Sequence, residues 1–446
     1  MVSSYFKAVF DKINQGPLAY LLILAHVGTG TFLVYTQQRS NLAFLVLLTS
    51  FLSLYFLKAD GRFKIFVGAV LALGIIPVVG VRNIFYLEVI FQISVFAALA
   101  LGLNIVVGFA GLLDLGYVAF YAVGAYLWAF FGSQQFYVLH YAPGTQPSDL
   151  PFLLPGDAFY MFLLVGIIIA ALTGILLGLP VLRLRGDYLA IVTLGFGEVI
   201  RVLANNLDKP LNFTNGPQGI TPIQRPTMPD FAVDWFNTLF GPLVGHPVTP
   251  ANLYNLMFYI FALIVILVIV TVTRRLDDSK LGRAWTAVRE DETAAIAQGI
   301  PLVRMKLTAF AVGASFAGVM GVLLAASRTF ISPESFSFMQ SIGVLSMVIL
   351  GGSGSIPGVI LGAATVTILN LQVLQGFSLY LNDLRQSNAV IPIINFAWKD
   401  LSTQLDPAKY QKLLFGLILI LMMIFRPAGL IPAKRRKRQV TLDETK

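Results

Sequence analysis

Cysteine is absent from this sequence of 446 residues, and charged residues make up only 12% of it. Without cysteine the chain has no disulfide framework, no thiol nucleophile and no cysteine metal site. Only three histidines occur, and the wide separation of His26, His140 and His246 argues against a histidine-rich metal site. Soluble domains typically contain about 25% charged residues, so this chain has too little polar surface to cover water-soluble cores. A soluble protein is therefore excluded.

The sequence is rich in apolar residues: 57% of the residues are hydrophobic and the mean hydropathy is +0.79. A helix needs about 20 mostly apolar residues to cross the hydrocarbon of a bilayer. Such stretches predict an all-α polytopic transmembrane bundle of about 11–12 membrane segments. The stretch 338–350 is short, so a re-entrant or broken segment is an alternative there. The candidate spans are 18–36, 41–57, 65–80, 84–108, 115–131, 158–179, 188–203, 252–273, 307–327, 338–350, 356–373 and 413–425.

Lys and Arg concentrate in alternate loops, and this bias predicts the orientation of the chain. With the N-terminus in the cytoplasm, the inner segments hold most of the 31 Lys and Arg, chiefly in 274–306 and 426–446. Both termini are therefore predicted to be cytoplasmic. The net charge of +9 follows these membrane loops and does not indicate nucleic-acid binding. The basic run from Lys434 to Arg438 is interpreted as an inner-leaflet anchor and topology signal.

Glycine-rich stretches in this chain are interpreted as structural. No Walker A P-loop occurs, since Gly is never followed directly by Lys, which excludes an ATPase of that type. The stretch 351–355, Gly-Gly-Ser-Gly-Ser, lies between two apolar segments and predicts a tight inner turn. A second pattern places a small residue at every fourth position of one span, which is typical of close helix packing in lipid. It consists of Gly166, Ala170, Gly174 and Gly178.

Polar residues within or beside the apolar segments are candidates for a transport path or gate, because charges are expensive in lipid. Asp114 lies among glycines at a predicted break between two spans, where a helix cap and a substrate contact are both open interpretations. Glu198 and Arg201 share one helix face, which fits either an intrahelical ion pair or a polar part of the path or outer gate. A sharply turned backbone downstream is a candidate for the outer mouth, at Asn215, Gly216 and Gly219.

The inner loop 274–306 contains a segment with a helical pattern, residues 281–299. At about 100° per residue, one apolar stripe has Glu292 at its centre and consists of Leu281, Trp285, Val288, Ala295 and Ile296. A carboxylate in that position fits a helix face that docks into a protein groove with a positive or hydrogen-bonding partner. A solvated amphipathic helix is the alternative, and an N-cap at Asp291 would introduce a kink.

Several segments of the chain have distinctive sequences: 102–126, 183–198, 332–336 (SPESF), 350–355 (LGGSGS) and 426–432 (RPAGLIP). These segments resemble the LivM-type permeases, which are membrane subunits of branched-chain amino acid ABC importers. The resemblance runs from about residue 84 to 432. It implies a permease core at 84–432, preceded at 1–83 by an N-terminal extension of about three transmembrane helices and followed by a basic cytoplasmic tail at 433–446.

The resemblance also implies that 281–299 is the coupling helix of the family, which inserts into an ATPase subunit. ABC importers carry a loose E-A-A-x-x-x-G signature there. In this chain Thr293 interrupts the signature, and the glycine lies seven rather than six residues after the glutamate. The residues predicted to couple to the ATPase are Trp285, Val288, Glu292, Ala294, Ala295 and Gly299.

The resulting hypothesis is a permease subunit in a bacterial or archaeal plasma (inner) membrane, providing half of the path for branched-chain or other hydrophobic amino acids. The implied partners are a second related permease, two cytoplasmic ATPase subunits, an extracytoplasmic amino-acid-binding protein and the lipid bilayer. The chain is expected to bind no cofactor and to be no enzyme, with ATP and Mg²⁺ bound by the ATPases. The alternatives are an ion-coupled secondary transporter and, among ABC permeases, one for urea, amides or other amino acids.

Overall fold

The computed structural model describes residues 16–37, 40–138, 151–181, 184, 186–228, 230–244, 250–386, 390–391, 396–398, 402, 404 and 406–433. Its helices are α1 (Pro17–Thr36), α2 (Asn41–Phe56), α3 (Gly61–Val70), α4 (Ile76–Arg82), α5 (Ile84–Asn104), α6 (Val118–Phe131), α7 (Gln135–Val138), α8 (Ala158–Val181), α9 (Asp187–Asn206), α10 (Asp230–Val244), α11 (Pro250–Asp278), α12 (Lys280–Glu290), α13 (Glu292–Ala297), α14 (Leu302–Arg328), α15 (Phe338–Gly351), α16 (Ile356–Ile368), α17 (Gln375–Gln386) and α18 (Gln411–Phe425).

Short irregular elements extend or join these helices. π-helical stretches at Leu71–Ile75, Ile105–Phe109 and Leu369–Leu374 continue α3, α5 and α16. Two-residue strands, β1 (Val390–Ile391) and β2 (Phe396–Ala397), pair antiparallel. The predicted all-α class is confirmed, since this ladder is the one sheet among the residues described.

The lengths of the apolar helices fit a membrane protein. Within the described part of the chain, nine helices are long and apolar enough to cross a bilayer, and three shorter apolar helices accompany them. Each of the twelve predicted spans falls on one of these helices. The doubtful stretch 338–350 corresponds to α15, which has 14 residues, and the apolar helical segment that contains it runs from Pro333 to Gly351 and is one of the nine. The basic run from Lys434 to Arg438 lies outside the described residues.

The chain forms two compact units. One consists of Met1–Ile90 with Met228–Tyr259, and the other of Phe91–Thr227 with Ile260–Lys446. In the first, α1 and α2 pack closely at Gly30, where an added Cβ would overlap the backbone of Leu47. This unit contains the predicted N-terminal extension together with α10 and the start of α11.

In the second unit, α14 crosses both α6 and α8 at small residues. A Cβ added to Gly318 of α14 would overlap the Cβ of Ala170 and the carbonyl of Gly166 on α8. A Cβ added to Gly124 of α6 would overlap the carbonyl of Gly318. Small residues therefore let the three backbones touch, which is how helices associate in lipid. The packing role predicted for the small-residue stripe of 166–178 is confirmed.

The predicted tight turn at 351–355 joins α15 to α16. Gly352 and Gly354 adopt φ values of 112° and 82°, which other residues rarely tolerate. The Ser355 hydroxyl then caps α16 by accepting from the Gly358 amide at 3.2 Å. Leu430 donates its amide to the Leu350 carbonyl at 2.9 Å, so the segment 426–432 packs against this turn.

Candidate functional site

The candidate coupling segment, residues 280–299, is two short helices rather than one. Ser279 caps α12 by accepting from the amides of Leu281 and Gly282. α12 ends at Glu290, and the backbone of the next residue, Asp291, is extended. The Asp291 carboxylate caps α13 by accepting from the amides of Thr293 at 2.7 Å and Ala294 at 3.0 Å. The kink expected at Asp291 is confirmed, and its cause is the side chain that satisfies the free amides of the second helix.

Gly299 ends α13 because only a left-handed backbone completes the hydrogen bonds there. Its φ is +78°. Its amide donates to Ile296 at 2.9 Å, and the Ile300 amide donates to Ala295 at 3.0 Å, which is the Schellman pattern of helix termination. A Cβ at this position would meet no atom within 4 Å. The requirement for glycine at 299 is therefore conformational and not steric.

Most of the apolar stripe of this segment is covered by other residues of the same chain. Trp285 is fully buried and donates its indole Nε1 to the Met305 carbonyl at 2.9 Å. Val288 and Ala295 are buried as well. Trp285 and Val288 are therefore covered within this chain, Trp285 by the start of the next helix, and their predicted role in coupling to an ATPase stays a prediction. Beyond the kink, Ala294 and a half-exposed Ile296 of α13 are at the surface of the chain.

Glu292 has its positive partner within the same chain. Its Oε1 lies 2.7 Å from Nζ of Lys306 on α14, and the Lys306 side chain is only 1% exposed. Burying an ammonium is costly unless a counter-charge lies close by. The pair therefore holds α13 against the first turns of α14. The sequence pattern predicted a positive partner for Glu292 but placed it in another subunit.

Arg289 joins the segment to a second long helix. Its Nη1 donates to the Gly108 carbonyl at 2.6 Å, at the end of the π-helical stretch that continues α5. A side chain on Gly111 would overlap Arg289. Close by, the Gly354 amide donates to Asn104 Oδ1 of α5 at 2.8 Å. α12 is thus attached to α5 in the way that α13 is attached to α14.

The Glu198 and Arg201 side chains form the ion pair that their spacing predicted, with Nε and Oε2 2.9 Å apart. Arg201 also reaches a residue that sequence reasoning did not find. Its Nη1 lies 3.1 Å from Glu334 Oε1 in the turn before α15. Arg201 therefore bridges two carboxylates from separate elements. A role of this cluster in a path or gate stays a prediction.

Asp114 is buried, and it does not cap a helix directly. Its Oδ1 accepts from the Gly116 amide at 2.9 Å, which is a local turn two residues on. α6 starts later, after Tyr117, which makes no side-chain cap. The helix-cap interpretation is therefore corrected to a turn in the break between α5 and α6. The substrate-contact interpretation stays untested.

The predicted sharp turn at 215–219 is present. Asn215, Gly216 and Gly219 all have left-handed φ values, 57°, 53° and 73°. The Asn215 side-chain amide donates to the Gly219 carbonyl at 2.8 Å and closes the turn. The Ile220 amide donates to Ile331 at 2.9 Å. This turn therefore packs against the segment that follows α14.

Comparison with known proteins shows the family of this sequence. The family model described as branched-chain amino acid transport system / permease component matches residues 85–423. The chain belongs to this family.

Curated relatives agree with this membership. The permease is 38% identical to the high-affinity branched-chain amino acid transport system permease protein LivM of Escherichia coli over 336 residues, 74% of this chain and 66% of that protein. It is 37% identical to LivM of Salmonella typhimurium over 347 residues, 76% of this chain and 68% of that protein. The alignments span about two thirds of the length of these relatives.

The permease is also similar, over a shorter stretch, to a second kind of permease protein. It is 32% identical to the permease protein LivH of Escherichia coli over 126 residues, 28% of this chain and 41% of that protein. No solved structure matches the permease.

The permease has no recognisable resident metal site in its described residues, where no three His, Asp or Glu side chains are grouped to hold an ion. Membership in a transport family makes it a transporter component and not an enzyme. Its apolar helices and its relatives make it a multi-pass membrane protein.

Proposed function

We propose that this permease provides half of the translocation path of an ABC importer for branched-chain amino acids. Its partners in this proposal are a second related permease, two cytoplasmic ATPase subunits and an extracytoplasmic binding protein. ATP and Mg²⁺ belong to the ATPases. The family match supports the transport class, and the relatives are named as high-affinity branched-chain amino acid permeases.

The observation that carries a coupling role is the double attachment of the segment 280–299. Arg289 ties α12 to the end of α5, and Glu292 ties α13 to the start of α14. Helices transmit displacement as rigid elements when polar and packed contacts fix them together. In the proposal, an ATPase moves the exposed face of α13, and the two attachments pass that movement to two long helices.

The length of α14 gives this movement a route across the membrane. Its 27 residues extend ~40 Å, so a tilt imposed near Lys306 displaces the opposite end of the helix. In this proposal α14 pivots about its contact with α6 and α8 near Gly318. Alternating access follows if the ATP-bound and ATP-free complexes favour different tilts, since a ligand shifts an equilibrium only by its differential affinity.

Uptake of labelled leucine tests the transport proposal. The permease is co-expressed with its partner subunits in a host without leucine uptake of its own. We expect uptake that persists in the presence of an ionophore, because ATP and not an ion gradient drives it, and that is lost when the ATPases are omitted. Uptake that an ionophore abolishes would instead support an ion-coupled transporter. Uptake of urea or amides in place of leucine would redefine the substrate.

The proposed orientation has both termini and the coupling segment in the cytoplasm of a bacterial or archaeal cell. Because the chain contains no cysteine, single introduced cysteines can be labelled without background. Leu211→Cys and Ala297→Cys form a matched pair, since both positions are exposed. We expect an impermeant thiol reagent to label position 211 in intact cells and position 297 only after the membrane is opened. Labelling of position 297 from outside would reverse the topology.

A further inference from the structure

A cavity of about 320 Å³ lies in the second unit. It is bordered by the part of α5 from Phe91 to Phe96, by the end of α14 and by the start of α15. Small-molecule sites commonly have volumes of about 300–1,000 Å³ and combine apolar walls with a few polar groups. This cavity has that composition. Its apolar wall consists of Phe91, Val95, Phe96, Leu324, Phe330 and Ile331.

The polar groups on the cavity wall have a distinct pattern. Arg328 provides a guanidinium, which is suited to binding a carboxylate through paired hydrogen bonds. Gln92, Gln340, Ser335 and Tyr121 provide amide and hydroxyl oxygens that accept from an ammonium group. Among the described residues that line the cavity there is no Asp or Glu, so a cationic side chain finds no counter-charge on its wall.

We propose that this cavity is a binding site for the transported amino acid, a zwitterion with an aliphatic side chain whose carboxylate binds Arg328. The aliphatic side chain lies against the apolar wall, and the ammonium group meets the glutamine, serine and tyrosine oxygens. A neutral solute such as urea has neither a carboxylate for the guanidinium nor an aliphatic group for the wall. This inference rests on the proposed function and names the substrate contacts within it.

The position of the cavity relative to the coupling segment supports this assignment. α5 contributes Gln92 and Val95 to the cavity, and the π-helical continuation of α5 accepts the hydrogen bond from Arg289. α14 contributes Leu324 and Arg328 at its end, and Lys306 near its start pairs with Glu292. Two of the helices that line the cavity, α5 and α14, are thus the two that hold the coupling segment. Movement of that segment changes the cavity walls.

Cysteine protection tests occupancy of the cavity. Ser335 is exposed and lines it, so Ser335→Cys provides one reactive thiol. The complex is reconstituted in liposomes without ATP, and labelling by a maleimide is followed with increasing L-leucine. We expect labelling to slow by the factor 1 + [L]/Kd, about tenfold at ten times Kd. Labelling that leucine does not change, or that lipid composition slows in place of leucine, would overturn the proposal.

The role of Arg328 is tested with isoamylamine, which is leucine without its carboxylate. When the chain carries only Ser335→Cys, we expect isoamylamine to protect the thiol at position 335 about 10- to 100-fold more weakly than leucine does. This factor corresponds to the loss of a charge-assisted hydrogen bond. In Arg328→Gln this difference between the two ligands should disappear. The matched control is Arg225→Gln, an exposed arginine outside the cavity that donates to the Ser327 carbonyl. Loss of discrimination in the control, or its persistence in Arg328→Gln, would contradict the assignment.

Failure of this inference can be told apart from failure of the proposed function. ATP-dependent leucine uptake by the Ser335→Cys permease, together with a thiol that leucine does not protect, rejects the cavity as the substrate site and leaves the transport proposal standing. Leucine protection without any uptake rejects the transport proposal and leaves the binding site standing.

Discussion

Replacing Gly318 with leucine is expected to remove nearly all correctly folded permease from the membrane. α14 crosses α6 and α8 at this residue, and an added Cβ would overlap Ala170 and the carbonyl of Gly166. Neither obstacle has a side-chain torsion that could relieve the overlap, so the helices must separate. Overpacking typically costs about 1–3 kcal/mol where neighbours can yield. Because these neighbours cannot yield, we expect a cost above that range.

The matched control is Gly195→Leu on α9, where an added Cβ meets no atom within 4 Å. The measurement is the yield of monodisperse permease in size-exclusion chromatography of detergent extracts, followed by its thermal unfolding. Gly124→Leu should behave as Gly318→Leu does, because its Cβ would overlap the Gly318 carbonyl from the other side. Normal yields of both variants beside a normal control would refute the close crossing of these helices.

The helical framework could be predicted from sequence because one physical requirement governs it. A span needs an apolar stretch of about 20 residues, and this chain has twelve such stretches or near matches. The small-residue stripe on α8 was equally informative, since glycine and alanine at every fourth position have few uses in a membrane helix besides close packing. Neither argument could tell which helices touch. That α14 is the partner of both α6 and α8 depends on the folded geometry.

The candidate site was predicted in its local features and missed in its long-range ones. The Asp291 cap and the Glu198–Arg201 ion pair could be predicted because, in each, the residues that interact are three or fewer positions apart. Lys306 lies in the basic inner loop 274–306, but fourteen positions and a helix break separate it from Glu292, so the sequence does not show that the two side chains meet. Glu334 is still more distant from Arg201 in sequence. An amphipathic pattern shows that a helix face has an apolar partner but not which chain supplies it.

Removing the carboxylate of Glu292 is expected to destabilise the coupling segment more than removing its partner. Glu292→Ala leaves the ammonium of Lys306, which is 1% exposed, without its counter-charge. Breaking a buried pair in this way costs about 3–5 kcal/mol. Lys306→Met leaves a carboxylate whose side chain is 21% exposed and can be solvated, so its effect should be smaller. Thermal unfolding of the two purified variants measures this difference.

The double variant Glu292→Leu with Lys306→Met should recover most of the lost stability, because an apolar pair of similar size often replaces a buried ion pair without net cost. Arg283→Ala on the neighbouring helix α12 is the control, since its side chain is exposed and donates to the Asp278 carbonyl. We expect wild-type stability in this control. A double variant as unstable as Glu292→Ala would contradict the ion-pair explanation.

Leucine-stimulated ATP hydrolysis by the reconstituted complex then shows where the carboxylate acts. If Glu292 works by holding α13 on α14, the stable double variant should regain stimulated hydrolysis, since the apolar contact holds the segment in the same place. We expect this result, because the pair joins two elements of one chain at 2.7 Å and its lysine is buried. If Glu292 instead bound an ATPase directly, the double variant would be stable but uncoupled. A stable, uncoupled double variant would therefore move the contact of this carboxylate from α14 to the ATPase.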